Sequence, residues 1–297
     1  MHKLTWCMVV LFPPVPATAA LVGAMLFNSA MLFNSIVAPP TTLTYEFGNG
    51  SVQIDNPTTI QGTTYVDPEL LGAGGGGSVW KMTATATTTV NPKNKNKNDA
   101  VVKISWARSA NSVRNECDVL NVMEKYGVTG VERCLGAMVY KYDPRRVVIA
   151  MEPFVEDIDR NNDGGDITSS LEELSPNIAR RSVVQLSKTM AQMLSANVIT
   201  TDIQPLISKS TGNVILIDMT EAKFFKTDRA ITEIDKALIT AFCTEMIGLI
   251  PDYLLDEASK SFLEELHRIE TETHVRLGED VREVLRDLPL KGFERLL

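Results

Sequence analysis

Between residues 69 and 82 the chain reads ELLGAGGGGSVWKM, with the spacing Gly72-x-Gly74-x-x-Gly77-x-Val79. Glycine has no Cβ, so a turn built from it lets backbone N–H groups come close to an anion. The chemistry such a turn could serve is phosphate binding. Val79, Trp80, Thr83 and Thr85 favour extended backbone, which makes the glycines a turn between two antiparallel strands. A dinucleotide fingerprint would need a helix next; here a threonine-rich strand follows. Lys103 ends the apolar run of AVVKIS, where an amine is costly without a partner. Glu116, in the helical stretch SANSVRNECDVLNVMEKYG, is the expected partner, above an apolar stripe of Val113, Cys117, Leu120 and Met123. Asp218 follows the apolar run Val214 to Ile217, at a strand end where a carboxylate can face a cation.

Composition narrows the alternatives. A chain of 297 residues can bury a large core. A net charge of −8 and a pI near 5.1 argue against nucleic acid as a partner. The cysteines Cys7, Cys117, Cys134 and Cys243 form no CxxC pair, so they read as isolated core thiols rather than a zinc or redox site. His2 is terminal, and His267 and His274 fall on charged, solvated helix faces. No HExxH or GxSxG is present. Asp159-x-Asn161-x-Asp163-Gly164 begins like a calcium loop, but its twelfth position is Ser170 and Glu172 comes two residues late. It reads as a solvated acidic loop.

Residues 1 to 45 contain no acid. Lys3, the run WCMVVLF, an Ala17-Thr18-Ala19 cleavage pattern and a tandem AMLFNS describe a processed leader, addressed to the secretory route or to a plastid-like organelle. The competing readings are a membrane anchor over residues 15 to 38, weakened by its prolines and by Asn28 and Asn34, and a tail with no address. Asn49-Gly50-Ser51 is a glycosylation sequon, informative if the chain enters the secretory route.

Downstream, RRVVIAMEPFVED is an apolar strand that turns polar. A long helix starts at Ser175-Pro176, and a β-hairpin ends at NVILIDMTEA. In this order the motifs resemble the protein kinase superfamily, from about residue 66 to 290. The resemblance implies an α+β, two-lobed fold. A small lobe over 46–155 would hold an antiparallel sheet and one helix, and a shortened, mainly helical lobe would cover 156–297. It implies that Gly72, Gly74 and Gly77 cover ATP, and that Lys103 holds its phosphates while paired with Glu116. Val79 and Val101 would line the adenine, Met151 would stand behind it, and the hinge from Glu152 through Phe154 to Val155 would meet it. Asp202 would act as catalytic base and Asp218 would hold Mg2+ or Mn2+. The activity implied is γ-phosphate transfer to a hydroxyl, on protein Ser/Thr by default or on a small molecule.

Several positions depart from the family pattern. Thr200-Thr201 replace His-Arg before Asp202, Gln204 replaces lysine, and Met219-Thr220 replace Phe-Gly after Asp218. Ile207 occupies the asparagine position, in a loop from Pro205 to Asp218 about two residues short of the family pattern, so the asparagine is either replaced or deleted and a second metal ligand is absent in both cases. These departures and the short region after Asp218 support the alternative, a pseudokinase that binds nucleotide or acts as a scaffold. The discriminating question is whether Ser208, Ser210 or Asn213 reaches the metal in place of that asparagine.

Overall fold

The computed structural model describes residues 41–85, 99–153, 167–225, 231–274, 276–286 and 288. Phe154 and Val155, residues 91–98 of the NPKNKNKND loop and the acidic stretch 159–164 lie outside the described residues. The described residues begin with a hairpin, β1 (Thr41–Phe47) and β2 (Gly50–Asn56), with Phe47 opposite Gly50 and a two-residue turn at Gly48 and Asn49. Alternation turns Leu43, Tyr45 and Phe47 inward, and the Tyr45 ring lies 4.5 Å from that of Trp80. Thr41–Tyr45 therefore belong to the fold, although the sequence placed them in the leader.

The main sheet comprises β3 (Thr58–Ile60), β4 (Thr63–Ala73), β5 (Gly77–Ala84), β6 (Asp99–Ser105), β7 (Cys134–Val139) and β8 (Val147–Met151). Its order is β3-β4-β5-β6-β8-β7, and every pair is antiparallel. Helix α1 (Ala110–Lys125) lies between β6 and β7 in the chain. The period of two divides the sheet's faces. Val102, Ile104, Val148 and Ala150 join Val52 and Ile54 of the hairpin in one core. Val147, Ile149 and Met151 join Val113, Leu120 and Met123 of α1 in another. The result is three layers: hairpin, sheet, helix.

The second half contributes β9 (Ile167–Thr168), α2 (Pro176–Ser195), β10 (Val198–Ile199), β11 (Gln204–Ser208), β12 (Val214–Ile217) and β13 (Lys223–Phe224). Helices α3 (Glu233–Gly248), α4 (Leu255–Thr273) and α5 (Glu279–Arg286) follow. Ser175 is the N-cap of α2, as its sequence suggests, and Pro176 occupies the first turn. Thr232 and Asp235 close a capping box that starts α3. Val183, Leu186, Met190 and Leu194 of α2 are buried against α4 and the rest of the helical core, which is continuous with the α1 face of the sheet. The architecture is α+β. Among the described residues no single helix is long and apolar enough to cross a membrane.

Candidate functional site

The glycine turn closes where β4 meets β5. Gly74 N–H donates to Gly77 O at 2.9 Å, leaving Gly75 and Gly76 as the tip. At Gly77 a Cβ would sit 2.2 Å from the carbonyl oxygen of Ile104, so only glycine lets β5 approach β6 this closely. Trp106 and Ser109, just after β6, hold the turn down. Trp106 N–H reaches Gly76 O at 3.1 Å, its indole Nε1–H reaches Gly74 O at 2.7 Å, and the Ser109 hydroxyl also donates to Gly76 O. Nothing lies within 4 Å of where side chains on Gly72, Gly74 or Gly75 would stand. The turn is anchored through its carbonyls and has open space beside Gly72, Gly74 and Gly75. A side chain on Gly76 would point at the Lys103 stem, 3.9 Å from Cε.

Lys103 lies opposite Val79 on one side and Ile149 on the other. Its Nζ donates to Glu116 Oε2 at 2.9 Å and to Asp218 Oδ1 at 2.8 Å. The sequence expected the first bond; the second brings a residue 115 positions away to the same amine. Burial by itself would lower the Lys103 pKa, but the charges of Glu116 and Asp218 outweigh it and raise it, so the amine stays protonated. Glu116 is fully buried, and burial raises its pKa against the opposing pull of Lys103. Its second oxygen, Oε1, has no hydrogen-bond partner among the described residues. For Asp218 burial pushes upward, yet Lys103 and Thr220 win and the pKa falls below the ordinary range.

Asp218 adopts left-handed backbone, φ 58° and ψ 60°. That conformation costs a non-glycine residue and persists where its surroundings determine it. Here the Thr220 hydroxyl donates to Oδ1 at 2.8 Å, and the Asp218 N–H donates to Glu132 Oε2 at 3.3 Å. Asn115 Nδ2 of α1 reaches Ala222 O at 3.0 Å, so the helix that carries Glu116 also fixes the turn after Asp218. Glu132 is a third carboxyl in the cluster. Burial first, then the neighbouring charge of Glu116, pushes its pKa up to about 8.

The cysteines correct the sequence reading. Cys117 and Cys134 are not isolated thiols but form a disulfide between α1 and the first residue of β7, with Cα atoms 5.3 Å apart. Glu116 and Glu132 lie one and two residues from its ends, so the bond ties the helix to the sheet beside the charged cluster. Cys243 is free and buried in α3.

The residues expected around a base also converge. Val101 pairs with Met151, which is buried and also pairs with Cys134. The Glu152 N–H is taken by Arg133 O at 2.9 Å, and its carboxylate meets the Arg133 guanidinium at 3.3 Å. Asp202 is half-exposed. Its Oδ2 accepts from Gln204 Nε2 at 3.0 Å, and Thr200 Oγ1 bonds its backbone on both sides. The β11–β12 register puts Gln204 opposite Ile217, so Asp202 lies at the Asp218 end of that hairpin. Ser208, Ser210 and Asn213 form the opposite end, where Asn213 O accepts the Ser208 N–H. The four residues of β12 separate Asn213 from Asp218, five steps or roughly 16 Å at strand rise, so none of these side chains replaces the asparagine. Ile207 is fully buried inside β11. Among the described residues there is no group of three or more His, Cys, Asp or Glu side chains placed to hold a metal ion.

Sequence reasoning missed Glu132, Trp106 and Ser109, and it named Thr220 as a departure without foreseeing its bond to Asp218. Only Trp106, an aromatic directly after the Lys103 strand, carried a usable signal. No protein-family model matches the chain, and no curated protein matches it.

Proposed function

We propose that the chain is a divergent protein kinase-like phosphotransferase, dependent on ATP and Mg2+, with a small sheet lobe over a shortened helical lobe. The observation that carries this reading is the buried amine of Lys103, held between Glu116 and Asp218 beneath an open glycine turn. A buried cation next to unobstructed backbone suits a triphosphate. Lys103 and the turn would bind the phosphates. Val79, Val101 and Met151 would receive the base. Asp218 is the side chain here that would hold Mg2+, whose charge would offset that of the phosphates. Asp202 would orient the acceptor hydroxyl and take its proton. Phosphoryl transfer depends mainly on such positioning and charge neutralisation.

The second reading, a nucleotide-binding or scaffolding pseudokinase, is favoured by Ile207, which is buried where a second metal ligand is needed. Thermal unfolding of the full chain, with ATP alone and with ATP plus Mg2+ or Mn2+, tests the nucleotide site. Ligand at a hundredfold over Kd adds about 2.7 kcal/mol of stability. The expected result is a metal-dependent rise in Tm, lost within Lys103→Ala and Asp218→Ala when each is compared with its own ligand-free midpoint. No rise at millimolar ATP would remove the enzyme reading. A rise without turnover on any hydroxyl acceptor would favour the pseudokinase.

A further inference from the structure

Asn49-Gly50-Ser51 is the chain's one Asn-x-Ser/Thr tripeptide in which x is not proline. It lies at the β1–β2 turn, where Asn49, Gly50 and Ser51 are all exposed. The Asn49 side chain has no hydrogen-bond partner among the described residues. The hairpin beneath it is firmly seated. Phe47 packs on Trp106 with ring centroids 5.8 Å apart, Tyr45 packs on Trp80, and Ser51 O accepts from Arg146 Nη1 at 2.8 Å. The acceptor amide therefore stands free of the surface at a fixed place.

A second observation is independent of the hairpin. The Cys117–Cys134 disulfide belongs to an oxidising compartment, the kind of lumen in which asparagine is glycosylated. Cys243, the free thiol among the described residues, is buried, and burial raises its pKa so that it stays an inert thiol there.

We propose that Asn49 is an N-glycosylation site, modified while the chain passes through an oxidising secretory lumen. Asn49 Nδ2 attacks the anomeric carbon of an oligosaccharide carried on a polyprenyl pyrophosphate. The new C–N bond replaces the C–O bond to pyrophosphate, Nδ2 loses a proton, and the polyprenyl pyrophosphate leaves. The hairpin covers the sheet face turned away from α1 and Lys103. The sugar therefore stands near the glycine turn, because Trp106 contacts both Phe47 and Gly74, and still leaves the Lys103 side open. This inference does not rest on the proposed function.

The test is expression of the full chain in secreting eukaryotic cells, with gel mobility and peptide mass read before and after peptide-N-glycosidase. The expected result is one glycan, removed by the enzyme with conversion of Asn49 to Asp. It is absent from Asn49→Gln and from Ser51→Ala, and retained in Ser51→Thr, which keeps the acceptor hydroxyl. Non-reducing peptide mapping of the same sample reports the Cys117–Cys134 bond. A chain that carries the disulfide with Asn49 unmodified overturns the proposal. So does a chain that never enters the lumen.

Discussion

The sheet half and the helical half treat their charged residues differently. In the sheet half, Lys103 and Glu116 are buried, matched to each other and backed by a disulfide one residue from Glu116. In the helical half, Asp202 is half-exposed and steadied by Gln204 and a local Thr200 turn. The first arrangement is over-determined, and the second can shift without disturbing the core. Asp218 joins the two, since it belongs to the helical half by sequence and to Lys103 by contact. On the proposed reading, binding at Lys103 and transfer at Asp202 would be supported separately, so that the first could persist without the second, and the buried Ile207 offers no second metal ligand.

The comparison breaks most visibly at Lys103. Lys103→Ala leaves Glu116 buried without its counter-charge, a loss of about 3–5 kcal/mol in denaturant unfolding. Lys103→Met with Glu116→Leu should recover a large part of it, because no charge is then left buried. Removing the disulfide with Cys117→Ser and Cys134→Ser should cost about 3 kcal/mol for a loop of this length. Wild type should fall by a similar amount when unfolded in reductant. Gly77→Ala should cost about 1–3 kcal/mol through the clash with Ile104 O, whereas Gly75→Ala, facing open space, should cost clearly less.

Smaller effects sharpen the contrast. Glu132 has a folded pKa of about 8 against an unfolded value near 4.5. Between those values the folded chain holds a proton that the unfolded chain has lost. Its contribution to stability is therefore full below about 4.5, falls as pH rises, and levels off above about 8. The slope is at most one proton, about 1.4 kcal/mol per pH unit. Glu132→Gln should flatten stability against pH over that window, and unchanged slopes would place the proton elsewhere. Asp202→Asn should change stability least, by about 0.5 kcal/mol or less, since its carboxylate's partner, Gln204, is exposed.

The sequence exposed the Lys103–Glu116 pair because an amine in an apolar strand demands a partner, and a helical stripe supplied one. The glycine hairpin was legible for a similar reason, since its composition allows few other structures. The disulfide was not legible. Cys117 and Cys134 fit no spaced motif, and Cys117 also fits the apolar stripe of α1. Glu132 was invisible because its role depends on a bond to the Asp218 backbone, formed only when the two halves meet. The β1–β2 hairpin could have been found. Leu43, Tyr45 and Phe47 alternate ahead of Gly48-Asn49-Gly50, but the acid-free stretch before them drew the boundary too late.

The most direct measurement is equilibrium binding of Mg–ATP to wild type, Lys103→Met and Asp202→Asn, each first shown to be folded. If the sheet half carries binding, Lys103→Met weakens it by about tenfold or more, equivalent to about 1.4 kcal/mol. Asp202→Asn then leaves it within about threefold of wild type, a difference below 1 kcal/mol. Equal affinities for all three proteins, or a loss confined to Asp202→Asn, would contradict the account.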